Sequence, residues 1–240
     1  MASVRRRSAL PWAAPLYVGA VQLGAYATAR LPRERRTEVL RAHSTNVANL
    51  RAGRWHTLVT SAALVEKPLP AAYGAALLAT LGTAEARWGT GRAAGVFAAG
   101  HIGASLLVYA GLRGRGHGAV KGEGDDPSGI DDPSDGTARA VDVGASYGFQ
   151  ATLGALAAAV PHRGARTAAT AGLLALGIRP VLRRERTFTD AGHLAALALG
   201  VAMGTGIRAV GIRTAGTRAV GMPRTGVRTA ARRAVGGRTA

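Results

Sequence analysis

The sequence predicts an all-α integral membrane protein, a six-helix bundle followed by a disordered basic tail. Three observations carry the prediction. The chain is 48% hydrophobic with a mean hydropathy of +0.10, although it holds 31 Lys and Arg and a formal net charge of +18. Charge is therefore segregated from the apolar stretches, as in loops between membrane spans. Six apolar runs follow one another, most of them near the ~20 residues that cross ~30 Å of hydrocarbon. Finally, the runs are rich in Gly and Ala, small residues that let helices approach closely in lipid.

The elements follow in order. A basic start, Arg5-Arg6-Arg7, precedes a first apolar run over 10–29. That run is long for a signal core, so it reads as a retained span. Residues 30–54 are polar and Arg-rich, and 55–65 form a short amphipathic or half-buried piece. The second span covers 69–83 and is closed by Glu85, Arg87 and Trp88; the third covers 93–112. A Gly-, Asp- and Pro-rich stretch at 113–139 predicts an irregular loop. The fourth, fifth and sixth spans read as 140–160, 165–182 and 188–207. The domain plan is thus a cytoplasmic N-terminus at 1–9, a membrane domain at 10–207 and a tail at 208–240.

The tail repeats roughly every five residues, as in Arg208-Ala209-Val210-Gly211 and Arg213-Thr214-Ala215-Gly216. Five residues turn a helix by about 140°, so the Arg side chains would not share a face. Gly in each repeat also opposes helix. The tail therefore reads as disordered, basic and placed against anionic lipid. The positive-inside rule makes it cytoplasmic, and an even number of spans brings the N-terminus to the same side. Arg lies between spans and in the tail rather than on one soluble module, which argues against a specific nucleic-acid partner. The absence of Cys excludes disulfides and thiolate metal sites. The acids Asp125, Asp126, Asp131, Asp132 and Asp135 lack calcium-loop spacing and read as solvated. No metal or cofactor is expected.

Two polar residues inside apolar runs carry the chemistry: Ser146 on the fourth and His193 on the sixth. Each is costly in hydrocarbon without a partner, and each can satisfy the other across a bundle. The surrounding words resemble the rhomboid family of six-span intramembrane serine proteases. Arg54-Trp55-His56 looks like the family's Trp-Arg loop; Glu85-Ala86-Arg87-Trp88-Gly89 looks like its Glu-x-x-x-Gly ending of the second span. Gly144-Ala145-Ser146 looks like the nucleophile motif, and His193 through Gly200 like the His-x-x-Gly-x-x-x-Gly base motif. The match covers about 10–207, and with Ser44-Thr45-Asn46-Val47-Ala48-Asn49-Leu50 the chain is similar to divergent rhomboid-like proteins of actinobacteria. The resemblance implies a multi-pass protein of the bacterial plasma membrane with transmembrane proteins as substrates.

The chain departs from that pattern on the oxyanion side. Where the resemblance implies a His and an Asn, sixteen and twelve residues before Glu85, stand Leu69 and Tyr73. Tyr147 replaces the Gly after the nucleophile, Gln150 the aromatic four residues after it, and Ala196 the first Gly of the base motif. Gln150 shares a helix face with Ser146 and offers an amide N–H, and Tyr73 offers a phenol O–H, so both are oxyanion candidates. Asp190, one turn before His193, either orients that ring or caps the helix. His101 is a third intramembrane polar group. Two functions remain open: a protease working through Ser146 and His193, and an inactive rhomboid-like protein that binds transmembrane segments of partners.

Overall fold

The structure is a computed structural model and describes residues 11–118, 141–183 and 187–220. Among them are nine α-helices and one 3-10 turn. They are α1 (Ala13–Ala29), α2 (Arg33–His43), α3 (Val47–Arg51), α4 (Thr57–Thr60), the turn Ser61–Ala63, α5 (Ala71–Trp88), α6 (Thr90–Gly118), α7 (Ser146–Ala158), α8 (Arg163–Val181) and α9 (Phe188–Val220). The six apolar runs become α1 and α5 to α9. By length and composition, Thr90–Gly111 and Phe188–Val210 are long and apolar enough to cross a membrane. At thirteen residues α7 is short for a span.

Several boundaries differ from the sequence reading: the fourth run, expected from 140, becomes helical only at Ser146, which leaves Asp142 in the segment before the helix, and the second runs on to Trp88. The sixth helix does not stop at 207 but continues to Val220, into the first basic repeats. Extending an existing helix needs no new nucleus, and Ala and Arg propagate it well enough to carry several Gly. The same reasoning takes α6 to Gly118, past the expected loop start at 113. The rest of the tail, the loop acids at 125–135 and the N-terminal Arg run lie outside the described residues.

The polar 30–65 region folds into short helices and a 3-10 turn. Pro32 precedes α2, and Asn46 caps α3 by accepting the Asn49 N–H at 2.8 Å. Asn49 donates to the carbonyls of Arg41 (2.9 Å) and Ser44 (2.7 Å), closing the corner between the two helices. Ser44, Thr45, Asn46 and Asn49 are all buried. This region is stitched to the chain just before α7: Thr45 N–H donates to Asp142 O at 3.1 Å, and Gly144 N–H to Ser61 O at 2.8 Å. The lead-in to α7 is thereby fixed from a distance of about a hundred residues in sequence.

At the other end of the bundle Glu85 joins three helices. Its carboxylate accepts from the N–H groups of Ala13 (3.1 Å) and Ala14 (2.9 Å) and from the Thr90 hydroxyl (2.7 Å). The first N–H groups of a helix have no intrahelical acceptor, and a carboxylate there also meets the positive end of the dipole. Four residues on, Gly89 takes φ +82°, and its N–H donates to Glu85 O at 2.8 Å. The Glu-x-x-x-Gly word thus acts as an acidic clamp followed by a left-handed turn between α5 and α6.

Candidate functional site

The site is set by how α7 and α9 pack, the most extensively packed pair of helices. They run parallel. Tyr147 meets Gly192, Ala151 meets Gly200 and Ala155 meets Gly204 as the two chains advance together. A β-carbon on Gly200 would lie 2.0 Å from the Ala151 carbonyl oxygen, and one on Gly204 2.3 Å from that of Ala155. Only residues without a side chain allow this approach. From the other side, Gly154 meets Leu197 O.

This seam orients the two candidate catalytic residues. Each residue turns a helix by about 100°. With Tyr147 and Gly192 facing each other across a parallel pair, the residue before the first and the residue after the second fall on the same side of the seam. Those residues are Ser146 and His193. Gly148, one step the other way, faces Phe97 of α6, so α6 covers the opposite side. Phe149 turns to α5, where its ring meets Tyr73 at 5.6 Å between centroids, and Gly177 of α8 packs on Leu194 and Leu197 of α9. Ser146 and His193 therefore flank the gap between α5 and α8. Both are half-buried, as is Gln150 one turn along α7, whereas Tyr147 and Gly148 are buried.

Ser146 is the first residue of α7. Phe149 N–H makes the first backbone bond of that helix, to Ala145 O at 2.9 Å. The N–H groups of Ser146, Tyr147 and Gly148 precede it and point out of the helix start, the arrangement that receives an anion.

Ser146 and His193 share no hydrogen bond among the described residues. The ring in contact with His193 is Tyr147, at 5.3 Å and 71°. Asp190 is engaged elsewhere: its Oδ2 accepts the Thr187 N–H (2.8 Å) and hydroxyl (2.9 Å), and Thr187 Oγ1 accepts the Asp190 N–H at 3.3 Å. That is a reciprocal cap of α9, built on Thr187 rather than on Thr189. At the departing oxyanion positions, Leu69 has its backbone N–H and carbonyl bonded by Gln22 (2.8 and 3.5 Å), while Tyr73 packs its ring on Phe149.

Sequence reasoning missed the serine–histidine contact that the structure does form. Ser61 Oγ lies 2.9 Å from His101 Nε2, and both residues are buried. Ser61 Oγ is also 2.8 Å from Thr45 Oγ1, which is 2.8 Å from Thr57 O. A carbonyl only accepts, so the single Thr45 proton goes to Thr57 O. Ser61 then donates to Thr45, and His101 donates from Nε2 to Ser61. This polarity is the reverse of a general base taking a serine proton, so the pair is structural. The Ser44–Leu50 word, dense in uncharged polar residues yet next to apolar spans, was the available signal.

The chain continues to Asp142. Tyr109 hydroxyl contacts Thr45 O and lies 2.9 Å from Asp142 Oδ2. Burial raises the Asp142 carboxyl from 3.8 to about 6, partly offset by the neighbouring Tyr109 and Tyr147 hydroxyls. An apolar cavity of about 340 Å³ lies between α1, α4, α5 and α6, with His101 in its wall, and neither Ser146 nor His193 lines it.

A family model of rhomboid-like proteins matches residues 7–211. The chain belongs to the rhomboid-like protein family. The match takes in α1 to α8 and α9 as far as residue 211, and membership of this rhomboid-like family makes the chain a membrane protein. No curated protein and no solved structure matches the chain.

Proposed function

We propose that this rhomboid-like protein is an intramembrane serine protease that hydrolyses a peptide bond in or beside the transmembrane segment of another membrane protein. The observation that carries the reading is the seam: it turns Ser146 and His193 to one side, facing the gap between α5 and α8. Helix α8 contributes no buried residue, which suits a helix that a substrate segment can pass. The bundle crosses the bacterial plasma membrane several times, with both termini cytoplasmic and the Ser44–Ser61 region outside.

In the reaction Ser146 Oγ attacks the scissile carbonyl carbon as His193 takes its proton. The carbonyl oxygen becomes an oxyanion held by the Ser146 backbone N–H and by the Gln150 amide. The C–N bond breaks, the leaving amine takes the proton from His193, and an acyl-enzyme remains on Ser146. Water, deprotonated by His193, then releases the acid. Tyr73, turned to Phe149, is the second choice as a donor.

One set of observations favours the alternative, an inactive homologue that binds partner segments: Ser146 and His193 are not hydrogen-bonded, and Leu69 offers no side-chain donor. A fluorophosphonate serine probe on the detergent-solubilised chain decides between them. The protease reading expects labelling of wild type that is lost in Ser146→Ala and reduced in His193→Ala. Labelling that persists in Ser146→Ala, or none in wild type, leaves the binding protein.

A further inference from the structure

From its packing we infer that Tyr147 is the positioning residue for His193, an assignment that rests on the protease reading above. A serine–histidine dyad lacks the third group that ordinarily fixes the imidazole. Here Asp190 is committed to the helix cap with Thr187. At the residue four after the serine, where the rhomboid resemblance implies an aromatic, stands Gln150. The ring that reaches His193 comes instead from the residue directly after Ser146.

Three features hold that ring. Gly192 leaves the space it occupies: a β-carbon there would lie 2.5 Å from the Tyr147 hydroxyl. Ala104, Ala151 and Ala196, all fully buried, close around the ring, which is 2% exposed. Behind it stands His101, at 6.0 Å and 40°, itself stacked on Phe97 at 6.5 Å and 8° and bonded to Ser61. Tyr147 is therefore wedged between two imidazoles: one anchored to the loop, the other the proposed base. The hydroxyl's polar neighbour is Asp142 rather than His193, and it makes no hydrogen bond of good geometry. The function thus lies in the ring, and a phenylalanine should perform it.

The test uses full-length protein in detergent with two readouts. One is the rate at which diethylpyrocarbonate modifies His193, followed by mass spectrometry; it needs no catalysis. The other is fluorophosphonate labelling of Ser146. Tyr147→Leu should free the ring, raise the His193 modification rate several-fold and lower Ser146 labelling by roughly a hundredfold, the scale of a misplaced catalytic group. Tyr147→Phe should keep both rates close to wild type, because the ring that meets His193 is retained. If Tyr147→Leu fails to fold, Tyr147→Met replaces it, since Met fills space flexibly. Equal His193 modification in wild type and the folded ring-deleted variant overturns the assignment whatever the activity. Changed His193 modification with no labelling of wild type by the probe refutes the protease reading instead.

Discussion

Gly200 approaches Ala151 so closely that a β-carbon on it would sit 2.0 Å from the Ala151 carbonyl oxygen. The atom it would strike belongs to the backbone, so no side-chain rotation relieves the clash. Gly200→Ala should therefore force α7 and α9 apart, costing about 3 kcal/mol, the upper range for overpacking. It should also reduce serine-probe labelling, because Ser146 and His193 sit on the separated helices. Gly172→Ala on exposed α8, with nothing within 4 Å, is the control and should gain roughly 0.5–1 kcal/mol from helix propensity. Thermal unfolding of the two variants in one detergent makes the comparison.

Glu85 is expected to matter to folding and not to chemistry. Glu85→Ala removes the acceptor for two helix-start N–H groups and the Thr90 hydroxyl. The loss should be about 2–4 kcal/mol, since each orphaned buried donor costs about 1–3 kcal/mol. Serine-probe labelling per folded molecule should stay within a few-fold of wild type. A variant with unchanged Tm would show that the clamp is dispensable.

Asp142 gives stability a defined pH dependence. Its carboxyl is raised in the folded protein to about 6 from 3.8, chiefly by burial. Between those values the folded state binds more protons than the unfolded chain, so stability is full below about 4 and is lost as pH rises through about 6. The Tyr109 hydroxyl has one proton and two acceptors in reach, and a protonated Asp142 relieves that shortage by donating to it. Asp142→Asn should flatten the fall in Tm between pH 4 and 7 and raise Tm at pH 7. An unaltered slope in the variant would remove Asp142 as its source.

Gln150 is assigned the oxyanion donor role because it lies one helical turn from Ser146 on the same half-buried face. Gln150→Ala should lower kcat by roughly a hundredfold with little change in KM, since the contact forms mainly in the transition state. Equal turnover in variant and wild type would return the role to backbone N–H groups or to Tyr73.

The orientation can be read with single cysteines, because the chain has none of its own. An impermeant thiol reagent added outside intact cells should label Trp55→Cys, on an exposed corner of the 30–65 region, and spare Gly91→Cys, exposed beside Glu85. The reverse pattern would invert the proposed topology.

Periodicity and composition made the helical class and the six apolar runs legible, because burying an all-apolar helix in lipid is a local property of each segment. The motif words made the family legible, and the short Glu85–Gly89 word encodes a clamp and a turn within five residues. The basic repeat misled about where α9 ends, since a helix already nucleated extends through residues that would not start one. What the sequence could not carry is contact between distant segments. Nothing local says that Ser44-Thr45-Asn46 would be buried against Asp142, or that Ser61 would find His101 rather than water. The neighbour of His193 was equally hidden: the residue four after Ser146 is Gln150, which has no ring to offer, whereas the seam of Gly192, Gly200 and Gly204 brings Tyr147 to the imidazole. Spacing along one helix fixes which residues share a face. Which face meets another helix is decided by where the two backbones can come closest, and that depends on both helices at once.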